Sequence, residues 1–354
     1  IVDDYSLRSV LEKHETHKST VLLTQDLEPD LRSIDWICAD CQGDQVRGIY
    51  GHPRQHYVNK RIAGVFAIPQ EALVYFQTNP GYMKNVCVGG MPPKEAELSQ
   101  SIQMMIEDGK NVYCVDSQAY AIDIDKPWHL LEANHATLME RFQNLEDNEI
   151  DDSATIDESA HIGGPIHLGQ GSRIGKNVIV KGKAFIGDHV NIDSGAILED
   201  NVVIGDYSQV VDTCMIRSET VIGNHNKIGF NAEIAGLTFD HVSLAHNTEM
   251  RGIIGSYTDI AAGCLTGSLR FDDGITPQRI QGRTEYPKYY SDAVFIGDHS
   301  RTGVGNIFFP GVKIGCNVAL WPGAIIDQDV PAQTLVVVKQ EKEMKHWGAE
   351  RYGW

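Results

Sequence analysis

The chain has 354 residues, 42% of them hydrophobic, and a formal net charge of -18. It lacks the run of about eighteen apolar residues that a membrane span needs and opens on no signal peptide, and its acidic balance argues against non-specific nucleic-acid binding. The seven cysteines form no disulfide framework, which fits a reducing cytoplasm, and Cys38-x-x-Cys41 has no second pair to complete a zinc site.

In chain order, residues 6–15 read as a helix and residues 20–23 (TVLL) as a short buried strand. Strand-like runs follow at 46–50 (VRGIY) and 62–68 (IAGVFAI), and Pro69 opens a short helix at QEALVYF. A helix is expected at about 94–108, then strands near 111–115 and 119–124. Pro127 is placed as the first residue of a last helix with Asp125 as its N-cap. Alternating strands and helices imply a layered α/β domain over residues 1–145.

The acidic stretch 146–158 leads into a different pattern. From Ile156 to Ile234 an aliphatic residue falls at every sixth position without a miss, often followed by glycine, as at Gly163, Gly175 and Gly187. Neither a 3.6-residue nor a 2-residue period gives this register. A chain turning a corner every six residues does, so residues 146–339 are expected to form a parallel β-helix. The period returns at Ile254 and Ile260, and again from Ile296 to Ile326, with a loop expected at about 267–293. Three hexads per coil give about seven coils and a prism roughly 30 Å long. The tail, 340–354, leaves the frame and carries Trp347, Tyr352 and Trp354, which are expected to pack against a coil or a neighbouring subunit.

These residues resemble the sugar-1-phosphate nucleotidyltransferases, whose bifunctional members add a glucosamine-1-phosphate acetyltransferase on a left-handed β-helix. IVDDYSL at 1–7 is similar to that family's strand ending in a metal-binding aspartate. AYAIDIDKPWHLLEAN at 119–134 is similar to its closing motif, and IAGVFAIPQEAL at 62–73 to its sugar-site segment. The fold implied is an α/β nucleotidyltransferase-like (Rossmann-like) domain, incomplete at its N-terminus, followed by a left-handed parallel β-helix of hexapeptide repeats. The resemblance implies Mg²⁺ held by Asp4, with Asp3 beside it, and by Asp123. It also implies an attack by a sugar 1-phosphate on the α-phosphorus of a nucleoside triphosphate, giving a UDP- or dTDP-sugar. Magnesium neutralises the repulsion between the two phosphates and orients the displacement.

Three departures from the family pattern stand out. The Gly-rich phosphate loop is absent, so missing upstream sequence is expected. Gly51-His52-Pro53-Arg54 replaces a Glu-Lys-Pro triad, leaving His52, Arg54, Lys60 or Arg61 to supply positive charge. Ile62 replaces an asparagine, with Ala63 and Gly64 kept. The substrate candidates in this half are therefore His52, Arg54 and Gly64.

The same resemblance places a second chemistry in the coils. LAHNTEMRGIIGSYTDIAAGCLTGSLRFDDG at 244–274 is similar to the acetyl-CoA site, and His246 aligns with the histidine that deprotonates the sugar amine. Glu249 stands where a tyrosine is expected, Asp259 and Ser268 where asparagines are, and Arg270 in LRFDD is retained. The readings carried forward are a cytoplasmic, homotrimeric nucleotidyltransferase; an acyl-CoA-dependent amino-sugar acyltransferase; and a non-catalytic trimeric scaffold.

Overall fold

The structure, a computed structural model, describes residues 1–27, 33–79, 98–280 and 282–349. Two compact units result, Ile1–Asp125 and Lys126–Trp354. The last helix of the α/β region, expected to end the first domain, therefore belongs with the coils. Residues 94–97 of the expected helix, Cys87, Tyr352 and Trp354 lie outside the described residues.

In the first unit, α1 (Asp4–His17) is followed by β1 (Thr20–Asp26), β2 (Ile37–Gln42), β3 (Gln45–Gly51) and β4 (Lys60–Ala67). After α2 (Val74–Gln77) and α3 (Leu98–Glu107) comes β5 (Val112–Asp116). The strands close into a barrel in the order β1-β4-β2-β3-β5, in which only β1 and β5 run parallel. Leu22, Ile49 and Val112 of the strands pack with Ile102 of α3 in one cluster, all buried. The strand expected near 119–124 is reduced to a single bridge, Val2 to Ala121, because the chain around it has no further partner strand in the described residues.

The start of α1 differs from expectation. The expected strand ending in Asp4 does not form; Asp3 is the N-cap of a helix whose first turn contains Asp4. The Asp3 carboxylate is buried and accepts from the Ser6 amide at 2.9 Å, the Ser6 hydroxyl at 2.6 Å, and the Ala119 and Tyr120 amides at 3.3 and 3.1 Å. Burial alone would raise its pKa, but these donors together outweigh it and hold the carboxyl below its usual range.

The second unit is the expected parallel β-helix. Three faces run along it, and one of them is a ten-stranded sheet, so there are about ten coils rather than seven. The extra coils come from Ile150, one hexad before the run, and from corner residues outside the strict hexad frame, such as Leu244, Met250 and Val336. Ile174, Ile192, Val210, Ile228 and their counterparts on the other two faces form one continuous core. Each aliphatic side chain so buried contributes roughly 1.5–3 kcal/mol. At one corner the turn residue has positive φ in coil after coil, and its ring stacks on the next. His189, Tyr207, His225, His241, Tyr257 and His299 form that ladder, with centroids 4.6–5.1 Å apart.

Helix α4 (Pro127–Gln143) lies along one face. That face carries apolar residues on its outer side, and the helix covers them: Leu138 and Phe142 pack on Phe185, Val203 and Val221, while Trp128 and Leu131 pack on Ile253 and Phe295. Pro127 is at the first turn as expected, but the N-cap is Lys126, without a side-chain cap, rather than Asp125. The Lys183 ammonium donates to the Phe142 carbonyl at 2.5 Å and closes the other end of the helix.

Candidate functional site

The hexad frame breaks between 234 and 254, and the register of the coils explains how. Ile216 and Ile222 bound an ordinary corner six residues apart. In the next two coils the corresponding pairs are Ile234 with Thr238 and Met250 with Ile254, only four apart. The corner is cut off, and the chain runs straight through six-residue strands at Glu233–Thr238 and Glu249–Ile254. Gly236 and Gly252 permit this. They stack on one another with φ of 120° and 135°, and a Cβ on either would run into the backbone oxygen of the next coil, that of Gly252 or of Val294.

Removing two corners leaves a notch in the prism. The cleft is about 280 Å³, lined by Leu131 and Asn134 of α4, Arg217, Gly236, Arg251 and Tyr290, among others. A column of side chains crosses it, one per coil: Lys181, Glu199, Arg217, Ala235, Arg251. Lys181 meets Glu199 at 3.0 Å, and Glu199 meets Arg217 at 3.4 Å. Burial would raise the Glu199 pKa, but the Lys181 ammonium, the Ser218 amide and the Arg217 charge outweigh it and hold the carboxyl low. Charges thus alternate until Ala235, where an acid would continue the pattern and a methyl group stands instead.

Arg217 and Arg251 lie two coil spacings apart, about 10 Å, with Ala235 between them. Besides Glu199, Arg217 has Glu233 at 3.6 Å, and Arg251 has Asp292 at 3.1 Å. A guanidinium carries five N–H donors, more than these carboxylates engage. Tyr290 closes one side. Burial first, then the negative charges of Glu219 and Glu132, push its phenol pKa up, so the hydroxyl stays a donor. These arginines are functional candidates that the hexad reading passed over. The signal was present as charges recurring at the coil interval, Lys181, Glu199 and Arg217 being eighteen residues apart.

His246 sits at another corner. Its ring is exposed and makes no hydrogen bond among the described residues, while its carbonyl accepts from the Gly263 amide at 3.3 Å. Asp259 stacks between Ser243 and Arg301 on the adjoining face. Arg270 is held in the loop by a bidentate pair with Asp272, at 2.8 and 2.7 Å.

In the first unit, Asp4 and Asp123 are both exposed. Asp4 lies in the first turn of α1, and Asp123 lies two residues beyond Ala121, which pairs with Val2 in an antiparallel bridge. Asp3 is already engaged by four donors, and no group of three or more His, Cys, Asp or Glu among the described residues is arranged for a metal. His52 is held in a left-handed conformation, its Nδ1 2.9 Å from the Ile34 carbonyl. Arg54 is exposed beside it, and Gly64, with φ of 76°, makes the bulge where β4 slips against β1.

No protein-family model matches the chain. Curated proteins do. A bifunctional sugar-1-phosphate nucleotidylyltransferase/acetyltransferase of Sulfurisphaera tokodaii is 30% identical over 242 residues, 67% of this chain and 53% of that protein. Bifunctional proteins GlmU of Methanococcus vannielii and Methanococcus maripaludis (strain C7) are 30% and 36% identical over 253 and 249 residues, about 70% of this chain. The chain spans about half the length of these relatives. A solved UDP-N-acetylglucosamine acyltransferase of Francisella novicida aligns at a TM-score of 0.26 and 21% identity, over 54% of this chain and 64% of that one, too slight a likeness to bear on function. The resemblance read from the motifs therefore holds: the chain is similar to a bifunctional sugar-1-phosphate nucleotidylyltransferase/acetyltransferase and to bifunctional GlmU proteins.

Proposed function

We propose that the complete protein makes a nucleotide-sugar from a sugar 1-phosphate and a nucleoside triphosphate, of the UDP- or dTDP-sugar type. The similarity to the curated relatives carries this reading. It reaches 71% of the chain, more than the second unit alone contains, so it extends into the barrel. His52, Arg54 and Gly64 are the sugar-phosphate candidates there. Magnesium is the cofactor this chemistry calls for, and Asp4 and Asp123 are the candidates to hold it.

A second activity is favoured by a specific observation, the notch. Two half-buried guanidinium groups flanking Ala235 suit the phosphate of an amino-sugar phosphate, since arginine grips phosphate through paired donors. Ser218, Asn134 and the Tyr290 hydroxyl offer partners for sugar hydroxyls. An exposed imidazole at His246 suits removal of a proton from an amine attacking the thioester of acetyl-CoA. Asp259 and Arg270 are the remaining binding candidates on the coils.

The outer side of the face through Ile179, Leu265, Ile307 and Ile325 exposes apolar side chains, broken only by Glu233 and Glu249. This supports a homotrimer in which copies cover that face. No helix among the described residues is long and apolar enough to cross a membrane, and the cysteines described are free thiols, in keeping with a cytoplasmic enzyme.

The test is a pyrophosphate-release screen of the natural protein against pairs of sugar 1-phosphates and triphosphates, run beside acetyl-CoA consumption with amino-sugar phosphates. Release with one pair is expected. Release with no pair contradicts the first reading and leaves the trimeric scaffold. Acetyl transfer should fall about 10²–10⁴-fold in His246→Ala with pyrophosphate release unchanged, and the acceptor KM should rise in Arg217→Ala.

A further inference from the structure

The three faces of the β-helix turn different side chains outward. One is covered by α4. A second presents polar groups, among them Arg173, Gln209, Lys227 and Asp259. The third is apolar along its length, with one interruption. Ile179, Ile197 and Met215 lead to Glu233 and Glu249, and Leu265, Ile307 and Ile325 continue beyond them. Ile234 and Met250 are buried, so the residues before them, Glu233 and Glu249, point away from the core.

Seven strand spacings separate Ile179 from Ile325, about 34 Å. A straight, rigid stripe of that length is too long for a small molecule and is matched by the same stripe on another copy of the chain. Covering all of it requires prisms that lie parallel. A closed three-fold ring has no translation, so each coil then stands level with its counterparts. Glu249 meets Glu249, with Glu233 one coil to one side and Leu265 one coil to the other.

No positive charge at that height is free to answer it. Arg217 is shared between Glu199 at 3.4 Å and Glu233 at 3.6 Å, and Arg251 is held by Asp292 at 3.1 Å. The Glu249 side chain is exposed and makes no hydrogen bond or ion pair among the described residues. His246, at the corner three residues earlier, is the remaining titratable group. We propose that copies associate through this face and that the association takes up protons at Glu249, so that the assembly tightens as pH falls. The proposal rests on the homotrimer reading. Burial in an apolar interface beside like charges disfavours the ionised carboxylate. Assembly therefore binds protons that separate chains have released, and by linkage acid favours it and alkali opposes it.

The full chain is diluted through its association at about pH 8 and at about pH 5.5, with sedimentation velocity reading the trimer fraction and circular dichroism checking the fold. One proton changes an equilibrium constant tenfold per pH unit, so the midpoint concentration should fall at least about tenfold at the lower pH. Glu249→Gln should give the low midpoint at both values, and His246→Ala should keep the dependence. Where the wild type is too tight to dilute apart, Ile307→Ala brings the association into range and the comparison is made in that background. A midpoint indifferent to pH, a dependence lost in His246→Ala, or weaker association of Glu249→Gln would each overturn the proposal and leave the trimer standing. A monomer at every pH and concentration would sink the homotrimer reading as well.

Discussion

The barrel and the β-helix bury their aliphatic side chains about equally well, by opposite routes. In the β-helix a buried residue lies sixteen or eighteen positions from the ones it stacks on, or forty-two across the loop, and coil after coil repeats its neighbour's solution. In the barrel, Leu22, Ile49, Ile102 and Val112 come from segments with no common interval and meet only when β1, β4, β2, β3 and β5 close. A repeating array spreads its stability over nearest neighbours, whereas closure is shared by the whole unit. The candidate site follows the same division: the array gains a cleft by dropping two residues from a corner, twice.

The largest expected effect that sharpens this contrast is a buried charge. Ile204→Asp and Ile49→Asp each place a carboxylate where the side chain is wholly enclosed. Ile49→Asp should abolish the barrel's cooperative unfolding transition, while Ile204→Asp should split the β-helix transition and leave distant coils folded. Hydrogen exchange resolved by peptide distinguishes the two. A single lost transition in both variants would break the comparison.

Next comes Gly252→Ala. The added methyl meets the Val294 carbonyl, and the backbone has φ of 135°, so a loss of about 1–3 kcal/mol is expected. The acetyl acceptor's KM should rise with it, because the straight strand that forms the notch is disturbed. Gly43→Ala, in a turn with φ of 61° and open space around it, should cost less, about 1–2 kcal/mol.

Asp3→Ala removes the cap of α1 and is expected to cost about 0.5–2 kcal/mol, read in the barrel transition alone. The Asp3 carboxyl is held below its unfolded value. Its contribution is therefore complete above the ordinary carboxylate pKa of about 4 and is lost as pH falls through the lower folded value. Acid melts of the wild type should show this decline, and Asp3→Asn should flatten it. Smallest of all is Lys181→Ala: its pair with Glu199 is half exposed, and a change of about 0–1 kcal/mol is expected.

The β-helix was legible because one period fixes strand, corner and core together. Even there the coil count fell short, since Thr238, Leu244 and Met250 depart from the hexad frame where the corners are cut. That departure is the notch, so the place where periodicity failed is the place where the site was made. The barrel was legible only as alternating elements. β2 went unread because ICADCQ mixes buried and polar residues without strict alternation. Asp3 read as a neighbour of a metal ligand; its cap bond to Ser6 is local, but its burial under Ala119 and Tyr120 joins residues too distant in sequence to infer. Arg217 and Arg251 were invisible as a pair because the second lies one ordinary and one shortened coil away, thirty-four residues on.

The register through the notch is the most direct test. Spin labels replacing Arg173 and Asp259 sit on the outer side of one face, five coils apart, and electron–electron double resonance should give a narrow distance near 24 Å. A broad distribution, or a distance far from that value, would contradict a three-sided coil that shortens from eighteen to sixteen residues at Gly236 and Gly252.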